Sequence, residues 1–131
     1  MLGLFVELLL LGHYEDVLQL VPLVLILSAL AIVGWHIVRP AWGSIRALQV
    51  VMGFFLAAGA AGIVLHFEGA AAFQREIAPA ISWTELVSKA LGAQAPPVLA
   101  PGVMMQLGLM GLIYAYRHPA VAPTRSEGAR W

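Results

Sequence analysis

Between Asp16 and Arg39 the chain runs for 22 residues without one charged side chain. About 20 apolar residues in a helix cross the hydrocarbon core of a bilayer. Val17–Val38 is therefore expected to be a first membrane span. The remaining composition agrees: 61% of residues are hydrophobic and only 11% are charged. A soluble domain carries about 25% charged residues to cover its wet surface. The expectation is an all-α integral membrane protein with three transmembrane helices. There is no cysteine, which excludes disulfides and thiolate chemistry.

Asp16 with Gln19 forms a capping pair at the start of the first span, and Pro22 is expected to kink its first turns. Trp35, His36 and Trp42 mark the far interface, where amphipathic rings settle. Arg39 and Pro40 end the helix. The second span is expected over residues 47–66. Its middle, residues 57–62, reads AAGAAG, and such small residues let another helix approach closely. Ala58, Gly59 and Gly62 are the expected packing positions; the alternative is a pigment or lipid lying in that groove.

Residues 67–100 form the longest polar stretch and are expected to be an outer loop. Within it, Ser82-Trp83-Thr84-Glu85 is a capping box. Trp83, Leu86, Val87, Ala90 and Leu91 follow at helical spacing, with Gly92 as a stop. This predicts an amphipathic helix over residues 83–91, lying flat on the membrane. Pro96, Pro97 and Pro101 are expected to make a stiff re-entry. The third span, residues 98–116, is the weakest, because it is short and carries Gln106, Gly108 and Gly111. Tyr114, Tyr116, Arg117 and His118 anchor its end. Residues 119–131 are polar and are expected to be a mobile tail. Residues 1–12 are too short to cross and lack the basic start of a cleaved signal. They are expected to be an interfacial helix or a short re-entrant piece, with Gly12 breaking them from the first span.

Short loops retain Lys and Arg on the cytoplasmic side. Arg39, Arg46, Arg117, Arg125 and Arg130 fall on one side with Glu127. Glu7, Glu15, Asp16, Glu68, Glu76 and Glu85 fall on the other with Arg75 and Lys89. Five bases against one acid and two bases against six acids give formal charges of +4 and −4. The predicted topology is N-terminus outside and C-terminus inside.

That topology gathers His13, Glu15 and Asp16 with His66 and Glu68 at the outer end. Imidazole plus carboxylate suits a divalent transition metal. Gln74 and Glu76 are close enough in sequence to join, and His13 and Asp16 would share a face if their stretch were helical. The plainer expectation is that polar groups gather where helices leave lipid, satisfied by water and head groups. His36, near the inner end of span one, is a candidate ligand for a chlorophyll-type pigment or haem; the plainer reading is an interfacial histidine bonded to water or backbone. Gly62 and His66 repeat the small-x-x-x-His spacing of light-harvesting polypeptides, which is also common by chance. Glu7 is expected to reach head groups or a partner. Gln49 and Gln106 are expected to tie helices together, and the Met104-Met105 pair to pack rather than to bind copper. No catalytic motif is present, and the basic residues are too few for nucleic acid.

Gly12-His13-Tyr14-Glu15-Asp16, then His66-Phe67-Glu68-Gly69 with Phe73 and Glu76, then Leu99-Ala100-Pro101-Gly102 leading to residues 114–119 (YAYRHP), resemble small bacterial membrane proteins with no assigned function. The resemblance implies a bacterial source and an inner-membrane location, and brings no activity with it. The expected function is a non-catalytic accessory subunit of a larger membrane complex, photosynthetic or respiratory, contacting lipid and other transmembrane subunits or copies of itself. The alternative is a metal-binding or metal-transport accessory protein using the outer patch.

Overall fold

A computed structural model describes residues 1–92 and 99–119. Among these the chain is all-helical and has no strand. The helices are α1 (Leu2–Leu10), α2 (Val17–Val38), α3 (Trp42–Ile77), α4 (Trp83–Leu91) and α5 (Leu99–Ala115). Two of them, α2 and α3, are long and apolar enough to cross a membrane.

Helix α2 has the expected bounds. At its start Gln19 Oε1 accepts the backbone N–H groups of Glu15 and Asp16, at 3.0 and 3.3 Å. It stops at Arg39, the residue before Pro40, where proline disfavours helical backbone.

Helix α3 departs from the expected 47–66 span. It starts at Trp42 and continues to Ile77, 36 residues, or about 54 Å at about 1.5 Å per residue. His66, Phe67 and Glu68 therefore lie inside a helix and not at its exit. Gly69 costs a helix only about 1 kcal/mol relative to alanine, and the alanines at 70–72 restore propensity at once. Ala71 is buried, and α4 folds back onto this extension, with the Phe67 and Trp83 rings edge to face at 6.4 Å. Pro79 is what ends α3, at Ala78. The first 11 residues of the expected outer loop, 67–77, thus belong to α3.

Helix α4 begins as its capping box predicts: Ser82 Oγ accepts the Glu85 N–H at 3.4 Å, and Lys89 pairs with Glu85 at 2.9 Å. Its buried face is narrower than expected. Leu86 and Ala90 are buried, while Trp83 and Leu91 stay exposed.

Helix α5 makes the most extensive contact with α3 and runs antiparallel to it. Pro101 and Met105 meet Gly59, Pro101 also meets Gly62, and Gly108 and Gly111 meet Met52. The two glycines that made this segment look weak are its contact face. A Cβ on Gly59 would stand 2.6 Å from Met105 Cγ and 2.7 Å from the Pro101 carbonyl oxygen. Residues 96–98, expected to contain the re-entry and the start of span three, lie outside the described residues, as does the tail from residue 120.

The core joins Ile26 and Ala29 of α2 to Leu48, Met52 and Phe55 of α3 and Met104 of α5. Helix α1 packs against α2 and adds Leu4 and Leu8 to that core, while Glu7 remains exposed. Gly12, with φ +67°, turns the chain between them.

Candidate functional site

Polar side chains collect at the two ends of the α2–α3–α5 bundle. At the basic end, His36 near the end of α2 is buried. Its Nδ1 lies 2.8 Å from Ser44 Oγ on α3, and its Nε2 lies 3.1 Å from the Tyr114 hydroxyl on α5. Ser44 Oγ also accepts the Ala41 N–H at 3.1 Å and faces the Ala41 carbonyl oxygen at 2.9 Å. One proton assignment satisfies all of these contacts. His36 Nδ1–H donates to Ser44, Ser44 O–H donates to the Ala41 carbonyl, and Tyr114 O–H donates to Nε2. The His118 ring lies 5.1 Å from His36, edge on.

Beside this network Gln49 Nε2–H donates to the Ala115 carbonyl at the end of α5, at 3.3 Å, and Arg46 donates to Gln49 Oε1 at 3.2 Å. Gln49 ties two helices as expected of it. Gln106 does not: it is exposed and makes no hydrogen bond among the described residues. A pigment or haem iron needs a bare imidazole nitrogen, and both nitrogens of His36 are engaged. The arrangement therefore works as a three-helix staple. Ser44 and Tyr114 were not anticipated from the sequence. The one available signal was the Arg39-Pro40 turn, which puts His36 and Ser44 at the same level on successive helices.

At the acidic end, the turn between α1 and α2 brings His13 to His66 of α3. Their ring centroids are 6.1 Å apart and their planes differ by 27°. Neither ring forms a hydrogen bond with another described residue. Partial burial, and then the neighbouring His66 charge, hold the His13 pKa below its ordinary 6.5. Only these two of the five expected metal residues come together. Glu15, Asp16 and Glu68 are exposed, and no group of three or more His, Asp or Glu side chains placed to hold a metal occurs among the described residues. The 11–16 segment is a turn, so His13 and Asp16 share no helix face. Glu76 sits ten residues past His66 on one helix, about 15 Å along its axis, so it does not join.

Below the two imidazoles lies a cleft of about 320 Å³. Helix α2 lines it with Leu18, Val21 and Pro22, α3 with Ala58, Ala61, Gly62 and Leu65, and α5 with Ala100, Pro101 and Met104. Its polar lining is confined to His13, Gln19 and His66. The space exists because α3 offers small side chains there. Gly59 and Gly62 turn towards α5 and are filled by it, whereas Ala58 and Ala61 face the cleft. The arrangement suits an apolar body with a hydrogen-bonding head. Comparison with protein-family models, with curated proteins and with solved structures finds no match to this chain, so the site's chemistry rests on its own residues.

Proposed function

We propose that this protein is an integral membrane protein of the bacterial inner membrane that acts as a non-catalytic subunit, packing against other transmembrane chains or copies of itself. In this reading α2, residues 42–66 of α3, and α5 are three spans. The N-terminus is periplasmic and the C-terminus cytoplasmic. The observation that carries the reading is how bare the apolar helices are. Only 17% of the most apolar stretch of α2 is buried, and 28% of that of α3. The core helix of a soluble protein would be mostly covered. Leu20, Val24 and Leu27 of α2, Val50 and Phe54 of α3, and Leu109 and Ile113 of α5 all point outward.

Charge supports the orientation. Arg39, Arg46 and Arg117 stand at the His36 end with no acid among the described residues there, as retention of basic residues in the cytoplasm requires. Helix α5, with 17 residues, is at the short limit for a span. Helix α3 exceeds a hydrocarbon core of about 30 Å, so its last turns, with α4 on them, stand outside the bilayer. Helix α1, sharing the core through Leu4 and Leu8, suits a re-entrant piece better than a flat interfacial one.

The chain's lack of cysteine makes the test clean. Ala41→Cys and Ser88→Cys are exposed positions at opposite ends. In intact cells a membrane-impermeant maleimide is expected to label Ser88→Cys and to reach Ala41→Cys only after lysis. Equal labelling of both would end the membrane reading. Light scattering of the detergent-solubilised native protein is expected to give a mass above the 14.0 kDa chain; a stable monomer would end the subunit reading.

A further inference from the structure

We propose that the cleft between α2, α3 and α5 binds a quinone-type amphiphile, with its carbonyl-bearing ring at His13, Gln19 and His66 and its apolar tail along Ala58, Ala61 and Pro101. The cleft's volume of about 320 Å³ lies at the small end of ligand sites, about 300–1,000 Å³. Its lining divides sharply: three hydrogen-bonding side chains at one end and apolar surface for the rest. Such a lining selects a molecule with a polar head and a greasy body.

The head's chemistry follows from what the three side chains have left to offer. Gln19 has used its Oε1 on the backbone of Glu15 and Asp16, so it presents its amide N–H groups. His13 and His66 each keep an imidazole N–H that no described residue accepts. The donors come from two sides, the α1–α2 turn with α2 and the opposing α3. A head with carbonyl oxygens on more than one edge satisfies both sides at once. Among the described residues no lysine or arginine lines the cleft, so nothing there favours an anionic head. A neutral, flat ring bearing two carbonyls meets each requirement, and the two imidazoles that would hold it stand together at one end of the cleft, 6.1 Å apart.

The fold also provides a way in. Helices α2 and α5 are joined at the basic end by His36 and Tyr114, while at the acidic end the cleft separates them. In the membrane reading, on which this inference rests for the ligand's route, that gap faces lipid, where such amphiphiles dissolve. Its test is separable, because cysteine labelling can establish the topology while ligand binding fails.

The experiment titrates decylubiquinone into the full chain, with isotope-labelled histidine, in phosphatidylcholine nanodiscs. Saturable shifts of the His13 and His66 imidazole signals, with His36 unmoved, are expected. Ala61→Leu fills the cleft from an exposed position and is expected to weaken binding about tenfold or more, while His66→Phe, which keeps bulk but loses the donor, weakens it several-fold. An unmoved His36 signal in both variants reports that the bundle is intact. The proposal fails if no shift saturates, or if Ala61→Leu binds as well as the parent, which would mean partition into lipid only. It fails equally if dioleoylglycerol produces the same shifts at equal or lower concentration, which would make the ligand a neutral ester lipid.

Discussion

The two ends of this bundle use the same residue type in opposite ways. At the basic end His36 spends both ring nitrogens on Ser44 and Tyr114 and closes three helices together. At the acidic end His13 and His66 face one another over a cleft with their nitrogens unspent. The difference lies in the neighbours. A hydroxyl from each adjoining helix reaches His36, whereas the helices around His13 and His66 offer mostly apolar side chains, and Gln19 spends its oxygen on the backbone of Glu15 and Asp16. Histidine identity therefore says little about role, and the count of partners within reach says much.

This contrast can be broken by mutation, and the largest effect is expected where packing alone holds α5. Gly59→Val places a branched side chain against Met105 and the Pro101 carbonyl. Overpacking typically costs about 1–3 kcal/mol, and a backbone neighbour that cannot yield puts this site at the upper end. Thermal unfolding in detergent is expected to fall by many degrees. Gly53→Ala, with nothing within 4 Å of its added Cβ, is expected to be neutral or stabilising. Equal losses in the two variants would show that the α3–α5 contact is looser than described.

Next in size is the histidine comparison itself. His36→Ala leaves the Ser44 and Tyr114 hydroxyls without their shared partner. Stranding polar groups in this way costs about 1–3 kcal/mol. His66→Ala removes no hydrogen bond, and a surface substitution of that kind is expected to stay within about 0.5 kcal/mol. Chemical-denaturant or thermal unfolding of the pair checks this. Similar losses would erase the distinction between a closed end and an open one.

The smallest effect is a pH dependence confined to the acidic end. The folded-state pKa of His13 lies below its ordinary 6.5, so the unfolded chain binds that proton more readily than the folded one. Stability from this group is intact above pH 6.5 and falls as the pH drops below it. His13→Gln is expected to flatten that part of the stability profile. A slope of the opposite sign would place the His13 ring in an environment that favours its charged form.

Local chemistry made part of the fold legible. The uncharged run and Pro40 defined α2, and Ser82 with Glu85 defined the start of α4. The expected second span, residues 47–66, lies within α3, which runs on to Ile77 past the polar residues at 66–68. The extension depends on a non-local event, the docking of α4 over Ala71, although Pro79 marked its true end. In the site, His13 and His66 were expected at one end of the helices, and their ring centroids stand 6.1 Å apart. The His36 staple depends on Tyr114, 78 residues away, and no spacing rule links them. Gly108 and Gly111 weaken a segment taken alone, and only the fold brings Met52 of α3 into the room they leave.

The most direct measurement of the open-end, closed-end account is nitrogen NMR of the histidine side chains in nanodiscs. His36 is expected as the Nδ1–H tautomer with slow exchange of that proton with water, and His13 and His66 as fast-exchanging rings. A His36 proton that exchanges as fast as that of His66, or that resides on Nε2, would contradict the account.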